Sequence, residues 1–417
     1  MNIYFCGIGG VGLGPLAEIA LDAGHAVQGS DPTNSLMSAH LSELGITIDN
    51  IQDGTYLKQT HSSIPIDWFV YSSGIPETNL ELLAAKELGI KISKRDELLA
   101  HIIEEKNLKL IAIAGTHGKT TTTAMAVWAF KQLGIPVSYS VGTTLSFAPS
   151  GHFEPNSQYF IYECDEFDRN FLRFHPHLSL ITSLDYDHPD SYPTKQEYMN
   201  AFTTFIHQSD FTILWDSDAK KLNKPQNTWE LGKHDVTPLT LSGEHNRLNA
   251  SLVSKAFEKL NLGGDINNAL NTFPGTDRRF EQLLPNLYTD YGHHPVEIKA
   301  TLQLAKELNK NVVLIYQPHQ NVRQHSLIDQ YTDCFEDASE IYWLPTYLTR
   351  EDKNLAVLTP AELAQHVTNP QAHHQAELSD NLWDYIQKVL HRGDLVVCMG
   401  AGSIDDWLRQ KIKKTVA

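Results

Sequence analysis

The chain has 417 residues, 41% hydrophobic and 20% charged, with 33 basic against 50 acidic residues and a formal net charge of −17. That length exceeds one ordinary core and points to two or three domains, and the composition excludes a disordered chain. The negative charge argues against sequence-independent nucleic-acid binding and against an anionic membrane surface, both of which require a basic face. The apolar runs at 312–316 and 178–184 are strand-length, so no transmembrane helix is expected. Met1-Asn2-Ile3-Tyr4-Phe5-Cys6-Gly7 lacks a basic leader and runs straight into a glycine turn, so it reads as a first buried strand rather than a signal peptide. The four cysteines, Cys6, Cys164, Cys334 and Cys398, are widely spaced, which fits reduced thiols in the cytoplasm.

In chain order, 2–6 predicts a strand, 11–23 an amphipathic helix, and 25–28 a second strand ending at Gly29-Ser30-Asp31. Strand-like runs follow at 46–48, 68–71 and 90–92, with a helical pattern over 79–88. Helix 95–104 leads through Glu105-Lys106-Asn107 to a new strand at 108–114, which sets a domain boundary near 106. The second block holds helix 119–133, strands near 159–163, 178–184 and 211–215, and helix 244–260. A third block starts near Phe273-Pro274-Gly275, with strands at 312–316, 340–344 and 395–399. Helices at 295–308, 326–338, 360–368 and 381–391 alternate with them. The expected architecture is three α/β units, 1–105, 106–273 and 274–417, with parallel sheets whose ligands lie at the carboxyl edge of the strands.

The most informative segment is Gly115-Thr116-His117-Gly118-Lys119-Thr120-Thr121, which follows an apolar strand and opens a helix. This arrangement aims backbone N–H groups and the positive helix end at phosphate. Lys119 can reach the terminal phosphates and the Thr120 hydroxyl can ligate Mg²⁺. The match to the general phosphate-loop pattern is incomplete, since Ile113 stands where its first glycine belongs. Strand 159–162 runs into Glu163-Cys164-Asp165-Glu166-Phe167-Asp168, and strand 178–184 into Asp185-Tyr186-Asp187-His188. Two adjacent strands would then deliver hard oxygen ligands and a histidine to one edge. Asp165, Glu166 and Asp168 read equally well as solvated strand-end charges.

These residues resemble the Mur ligases, over nearly the whole chain. The further anchors are Gly7-Ile8-Gly9-Gly10-Val11-Gly12, Gly243-Glu244-His245-Asn246 with Asn249, and Gly275-Thr276-Asp277-Arg278-Arg279-Phe280. Asp290-Tyr291-Gly292-His293-His294-Pro295, Gln317-Pro318-His319 and Gly400-Ala401-Gly402 complete the series. The resemblance implies a Rossmann-like UDP-sugar-binding domain, an ATPase central domain and a Rossmann-like third domain that brings the amino acid. It implies an ATP- and Mg²⁺-dependent cytoplasmic enzyme that joins L-alanine to UDP-N-acetylmuramate through an acyl phosphate, for cell-wall synthesis. By the same resemblance Gly9, Gly10, Val11, Gly12, Asp31, Ser72 and Ser73 bind the UDP-sugar. Thr120, Glu163 and His188 hold metal, Asn246 and Asn249 meet adenine, Arg279 the γ-phosphate and Asp290 the ribose. His319 and Arg323 fall near the amino acid and the reacting carboxylate. Lys119 and Arg279 lie in different domains, so closure would assemble the site and exclude water.

Other readings compete. The first glycine turn with Asp31 mimics a dinucleotide fingerprint and alone would suggest an NAD-dependent oxidoreductase. The pair His293-His294 reads as a cap of the following helix rather than a metal site, with Pro295 in its first turn. Gln320-Asn321-Val322 departs from the arginine that L-alanine-adding members carry after the Q-P-H histidine. It has partial similarity to the recycling members that attach the tripeptide L-Ala-γ-D-Glu-meso-diaminopimelate. Thr203 stands where several relatives carry a carbamylated lysine, so no carbamate is expected.

Overall fold

The computed structural model describes residues 1–72, 74–188, 191–223, 226–349, 351–368 and 372–416. The chain divides into two compact units, Met1–Val236 with Asn249–Phe273, and Thr237–Leu248 with Pro274–Ala417.

The first unit opens with alternating β1 (Asn2–Cys6), α1 (Gly14–Asp22), β2 (Ala26–Ser30), α2 (Leu36–Glu43) and β3 (Thr47–Asp49). It continues with α3 (Thr55–Ser63), β4 (Trp68–Tyr71), α4 (Leu80–Glu87), β5 (Lys91–Lys94) and α5 (Arg95–Glu105). The five strands form a parallel sheet in the order β3-β2-β1-β4-β5. Strand order reverses at β1, the switch point where ligands of such sheets sit. Ile3, Tyr4, Phe5 and Cys6 are all fully buried, as expected of a strand covered by helices on both faces. Helix α1 begins three residues later than the periodicity predicts. Val11 instead lies in the turn at 96% exposure, and Pro15 sits in the helix's first turn.

The second sheet belongs to the same unit. Its elements are β6 (Lys109–Ala114), α6 (Lys119–Gln132), β7 (Ser138–Ser140), β8 (Gly151–His152), β9 (Tyr159–Glu163) and β10 (Leu178–Ile181). They are followed by α7 (Lys195–Gln208), β11 (Thr212–Trp215), α8 (Asp216–Ala219), β12 (Thr228–Leu231), α9 (Glu244–Lys259), whose residues up to Leu248 are counted with the second unit, and α10 (Ile266–Asn271). The strand order is β12-β11-β10-β6-β9-β7-β8. β9 and β10 are therefore not neighbours, contrary to expectation, because β6 lies between them. Strand β10 also ends at Ile181 rather than at 184. One apolar cluster runs through both sheets of this unit, from Ile3, Phe5 and Leu98 to Ala112, Tyr162 and Phe202.

The second unit contains β13 (Glu281–Leu284), β14 (Leu287–Asp290), α11 (Pro295–Leu308), β15 (Val312–Tyr316), α12 (Asn321–Leu327) and β16 (Glu340–Trp343). After these come α13 (Pro360–Ala364), β17 (His373–Gln375), α14 (Asp380–His391), β18 (Leu395–Met399) and α15 (Ile404–Val416). Its sheet runs β13-β14-β18-β15-β16-β17, with β13 antiparallel to β14. Two predicted helices are corrected. The one placed at 326–338 is α12 plus a 3₁₀ turn at Ile328–Gln330. The one placed at 360–368 stops at Ala364. In both, apolar residues at helical spacing pack from turns: Tyr331 and Phe335 join the same cluster as Trp343. His294 does cap α11, its side chain accepting from the Val296 N–H with Pro295 following.

Candidate active site

The first glycine turn leaves the carboxyl end of β1. Gly7 adopts φ +83, which favours glycine, and its N–H donates to the Ser30 carbonyl at 2.8 Å. Asp31, just past β2, accepts the Gly9 N–H at 2.9 Å through one oxygen. Its other oxygen accepts from the Thr33 N–H and hydroxyl. Asp31 therefore shapes the turn, a role that needs no ribose. Gly9, Gly10, Val11, Gly12 and Ser72 gather at this edge, since β1 lies between β2 and β4. Ser73 lies outside the described residues.

The second turn leaves β6 and enters α6 at Gly118, whose φ is +85. A Cβ on Gly115 would meet the Thr182 hydroxyl at 2.3 Å, and one on Gly118 would meet Asn249 Oδ1 at 2.8 Å. Both positions thus require glycine for space as well as for backbone freedom. The segment after β10 braces the loop. Thr116 N–H donates to the Ser183 carbonyl, His117 N–H to Ser183 Oγ, and the Thr116 hydroxyl to the Asp185 carbonyl. Thr182 and Ser183 carry no motif in the sequence, and their role emerges only from strand adjacency.

Lys119 Nζ donates to Glu166 at 2.7 Å and to the Gly115 carbonyl at 2.7 Å, with Asp165 at 3.8 Å. Burial opposes its charge, but Glu166 and then Asp165 outweigh that and hold the ammonium above its ordinary value. Glu166 is fully buried, so the reading of it as a solvated strand-end charge is corrected. Burial pushes its carboxyl up against the pull of Lys119. Asp168 remains exposed and pairs with Lys94 at 2.7 Å. The Thr120 hydroxyl donates to one oxygen of Glu163 at 2.8 Å, and the other accepts the Gly142 N–H at 2.8 Å.

Among the described residues, Asp165, Glu166 and His188 form a group whose ligand atoms lie within 4.8 Å of one another. His188 has φ +57 and its Nε2 lies 3.7 Å from Glu166 and 3.9 Å from Asp187. The expected metal set is thereby divided: Thr120 meets Glu163, whereas His188 faces Glu166. Hydroxyl, carboxylate and imidazole donors at one strand edge suit a divalent cation. The Thr120–Glu163 pair suits Mg²⁺ better, because Lys119 already supplies a positive charge to Glu166.

Asn249 is buried over the Gly118 turn. Asn246 lies one helical turn earlier on α9 and donates to the Ser242 carbonyl at 3.0 Å. In the second unit, Asp290 ends β14 and accepts the N–H groups of Phe280 at 2.8 Å and Gly292 at 2.7 Å. Burial pushes its carboxyl up to about 6, against the opposing pull of Arg279. Arg279 lies over the Tyr291 ring at 5.2 Å. His319 follows β15, stacked on Tyr347 at 5.8 Å and edge-on to His293 at 5.5 Å. Arg323 lies one turn into α12 and acts on His293, which burial pushes down to about 4. Tyr347 escaped the sequence reading, although it explains Gly402: a Cβ there would approach the Tyr347 side chain at 2.7 Å. Asn321 is buried, donates to the Ala356 carbonyl and accepts the Leu358 N–H. The departing residue at 321 thus supports its own loop. Among the described residues, no helix is long and apolar enough to cross a membrane.

Family models match in chain order. Residues 2–107 match "Mur ligase family, catalytic domain", 113–261 "Mur ligase middle domain", and 278–402 "Mur ligase, glutamate ligase domain". The UDP-N-acetylmuramate–L-alanine ligase of Clostridium perfringens is 31% identical over 457 residues, covering 97% of this chain and 96% of the relative. The Coxiella burnetii enzyme of the same name is 31% identical with the same coverage. Among solved structures, the UDP-N-acetylmuramate–alanine ligase of Thermotoga maritima superposes with a TM-score of 0.75 at 23% identity, covering 100% of this chain and 99% of that one. The murein peptide ligase of Psychrobacter arcticus superposes with a TM-score of 0.61 at 22% identity, covering 99% and 98%. These likenesses establish a three-domain α/β fold, and the similarity to the curated relatives sets the nicotinamide reading aside. With two glycine turns at the switch points of largely parallel sheets and relatives matched over 97% of its length, the chain belongs to the Mur ligase family.

Proposed function

We infer that this enzyme uses ATP to join L-alanine to the lactyl carboxylate of UDP-N-acetylmuramate in the cytoplasm, as a step of cell-wall precursor synthesis. The observation that carries this reading is the second turn, where Lys119 and the Thr120–Glu163 pair converge at one edge, in a chain matched over 97% of its length to relatives named for that reaction. On this reading residues 1–105 bind the sugar nucleotide, 106–273 bind ATP, and 274–417 bring the amino acid.

A carboxylate is a poor electrophile, so the γ-phosphoryl group of ATP is first transferred to it with release of ADP; the neutral amine then attacks the acyl carbon, and phosphate leaves from the tetrahedral intermediate as the amine gives up a proton. Lys119 exchanges its Glu166 contact for the phosphates, and the N–H groups opening α6 hold them. Thr120 and Glu163 would hold a Mg²⁺ ion, with His188 on the neighbouring Glu166 side, and the ion when bound would supply charge neutralisation for phosphoryl transfer. Arg279 adds positive charge from the third domain, Asp290 meets the ribose, and Asn246 and Asn249 meet adenine. His319 and Arg323 orient the amine and the carboxylate.

Phosphate release with UDP-N-acetylmuramate, Mg²⁺-ATP and a panel of amino acids and peptides tests the reading. Release with L-alanine is expected. Release only with the tripeptide L-Ala-γ-D-Glu-meso-diaminopimelate would overturn it in favour of a recycling ligase.

A further inference from the structure

Arg95 has no part in the chemistry above, yet it stands between the first glycine turn and the acids of the second. It is the first residue of α5, where a cation is opposed by the helix dipole rather than favoured. Helix stability therefore does not account for it. The guanidinium lies against Gly12: a Cβ there would come within 3.0 Å of Nη1. Glycine at position 12 thus makes room for the arginine immediately ahead of α1.

On its other side, Nε meets Asp96 at 3.4 Å, but that carboxylate also accepts the Tyr162 hydroxyl at 2.8 Å. The groups that act on the guanidinium charge are the Tyr162 hydroxyl, then the carboxylates of Asp96, Asp165 and Glu163. Among the described residues no hydrogen bond is made to its Nη atoms, and the side chain keeps 38% of its surface exposed. A planar fork of N–H donors with an open edge is suited to a phosphate or carboxylate.

We propose that Arg95 binds an anionic group of the sugar nucleotide, either its diphosphate or its lactyl carboxylate, and holds it between the first turn and the acids beyond β9. This rests on the proposed substrate. Calorimetric titration of the full chain without ATP, using UDP, UDP-N-acetylglucosamine and UDP-N-acetylmuramate, tests it on Arg95→Gln and Arg95→Lys. Arg95→Gln is expected to weaken binding about tenfold or more, with Arg95→Lys intermediate and with ATP affinity and melting temperature unchanged. Loss with all three ligands assigns the diphosphate, and loss confined to UDP-N-acetylmuramate assigns the carboxylate. Wild-type affinity for all three in Arg95→Gln would overturn the inference, as would an equal loss of ATP affinity, which marks a structural role. Failure of the wild-type chain to bind UDP-N-acetylmuramate would overturn the substrate reading beneath it.

Discussion

The two glycine turns of the first unit are close relatives in backbone and opposites in chemistry. Each leaves the strand at which its sheet, parallel in the first case and largely parallel in the second, reverses order and leads into a helix, so each aims N–H groups at an anion. At the first, the acid on the neighbouring strand end is consumed internally, Asp31 holding Gly9 and Thr33. At the second, the acids face a cation and a hydroxyl: Glu166 meets Lys119 and Glu163 meets Thr120. A turn of this kind selects anions by itself. The side chains at the ends of the flanking strands decide whether a phosphate is only held or also transferred.

Lys119→Ala breaks that contrast most severely. Phosphate release should fall by about 10²–10³-fold or more, while calorimetry shows UDP-N-acetylmuramate binding largely intact. Equal loss at both turns would mean they are not separable. Glu166→Ala leaves a buried ammonium without its carboxylate, and thermal unfolding should report a loss of about 3 kcal/mol, several degrees in melting temperature. An unchanged melt would show that the pair has no structural weight.

At the first turn, Asp31→Ala removes a carboxylate that orders the backbone. The KM for the sugar nucleotide should rise about tenfold with kcat little changed, the value of a hydrogen bond to a charged group. A fall in kcat alone would assign Asp31 to the chemistry instead. The last test is a pH dependence in the second unit. Burial raises Asp290 to about 6, so the folded state retains a proton that the unfolded state has released. The resulting stability is full below the ordinary carboxylate value and is lost as pH rises through about 6, at no more than roughly 1.4 kcal/mol per pH unit. Asp290→Asn should remove that slope from chemical denaturation curves measured between pH 4 and 7.

Strands buried on both faces were legible because they read as apolar runs: β1, β4, β9, β15 and β18 match their predicted limits. The glycine loop and its lysine were legible because few residue types satisfy a tight turn ahead of a helix. Less was visible wherever a residue serves a non-local partner. α2 and α3 passed unnoticed because their sequences are polar or short in apolar repeat and each buries only one or two residues, whereas α7 was missed although Tyr198, Met199, Ala201, Phe202, Phe205 and Ile206 form a regular apolar face. Asp165 and Glu166 could equally have been surface charges, and only the reach of Lys119 across the sheet edge shows otherwise. Tyr347 and the Thr182-Ser183 brace have no pattern of their own.

By itself the sequence determined the central buried strands, where two turns can hold anions, and which family of chemistry the chain carries, while the short strands β7, β8, β12, β13, β14 and β17 escaped it. Those properties follow from local periodicity, glycine stereochemistry and ordered motifs. Strand order belongs to the tertiary structure alone: β6 between β9 and β10 sets the phosphate loop among its acids, and no residue along the chain encodes that adjacency. The same holds for the partners of Glu166 and for the position of Arg95 beside Gly12. Charge pairing and close packing depend on distances that arise only once the sheet has closed around them.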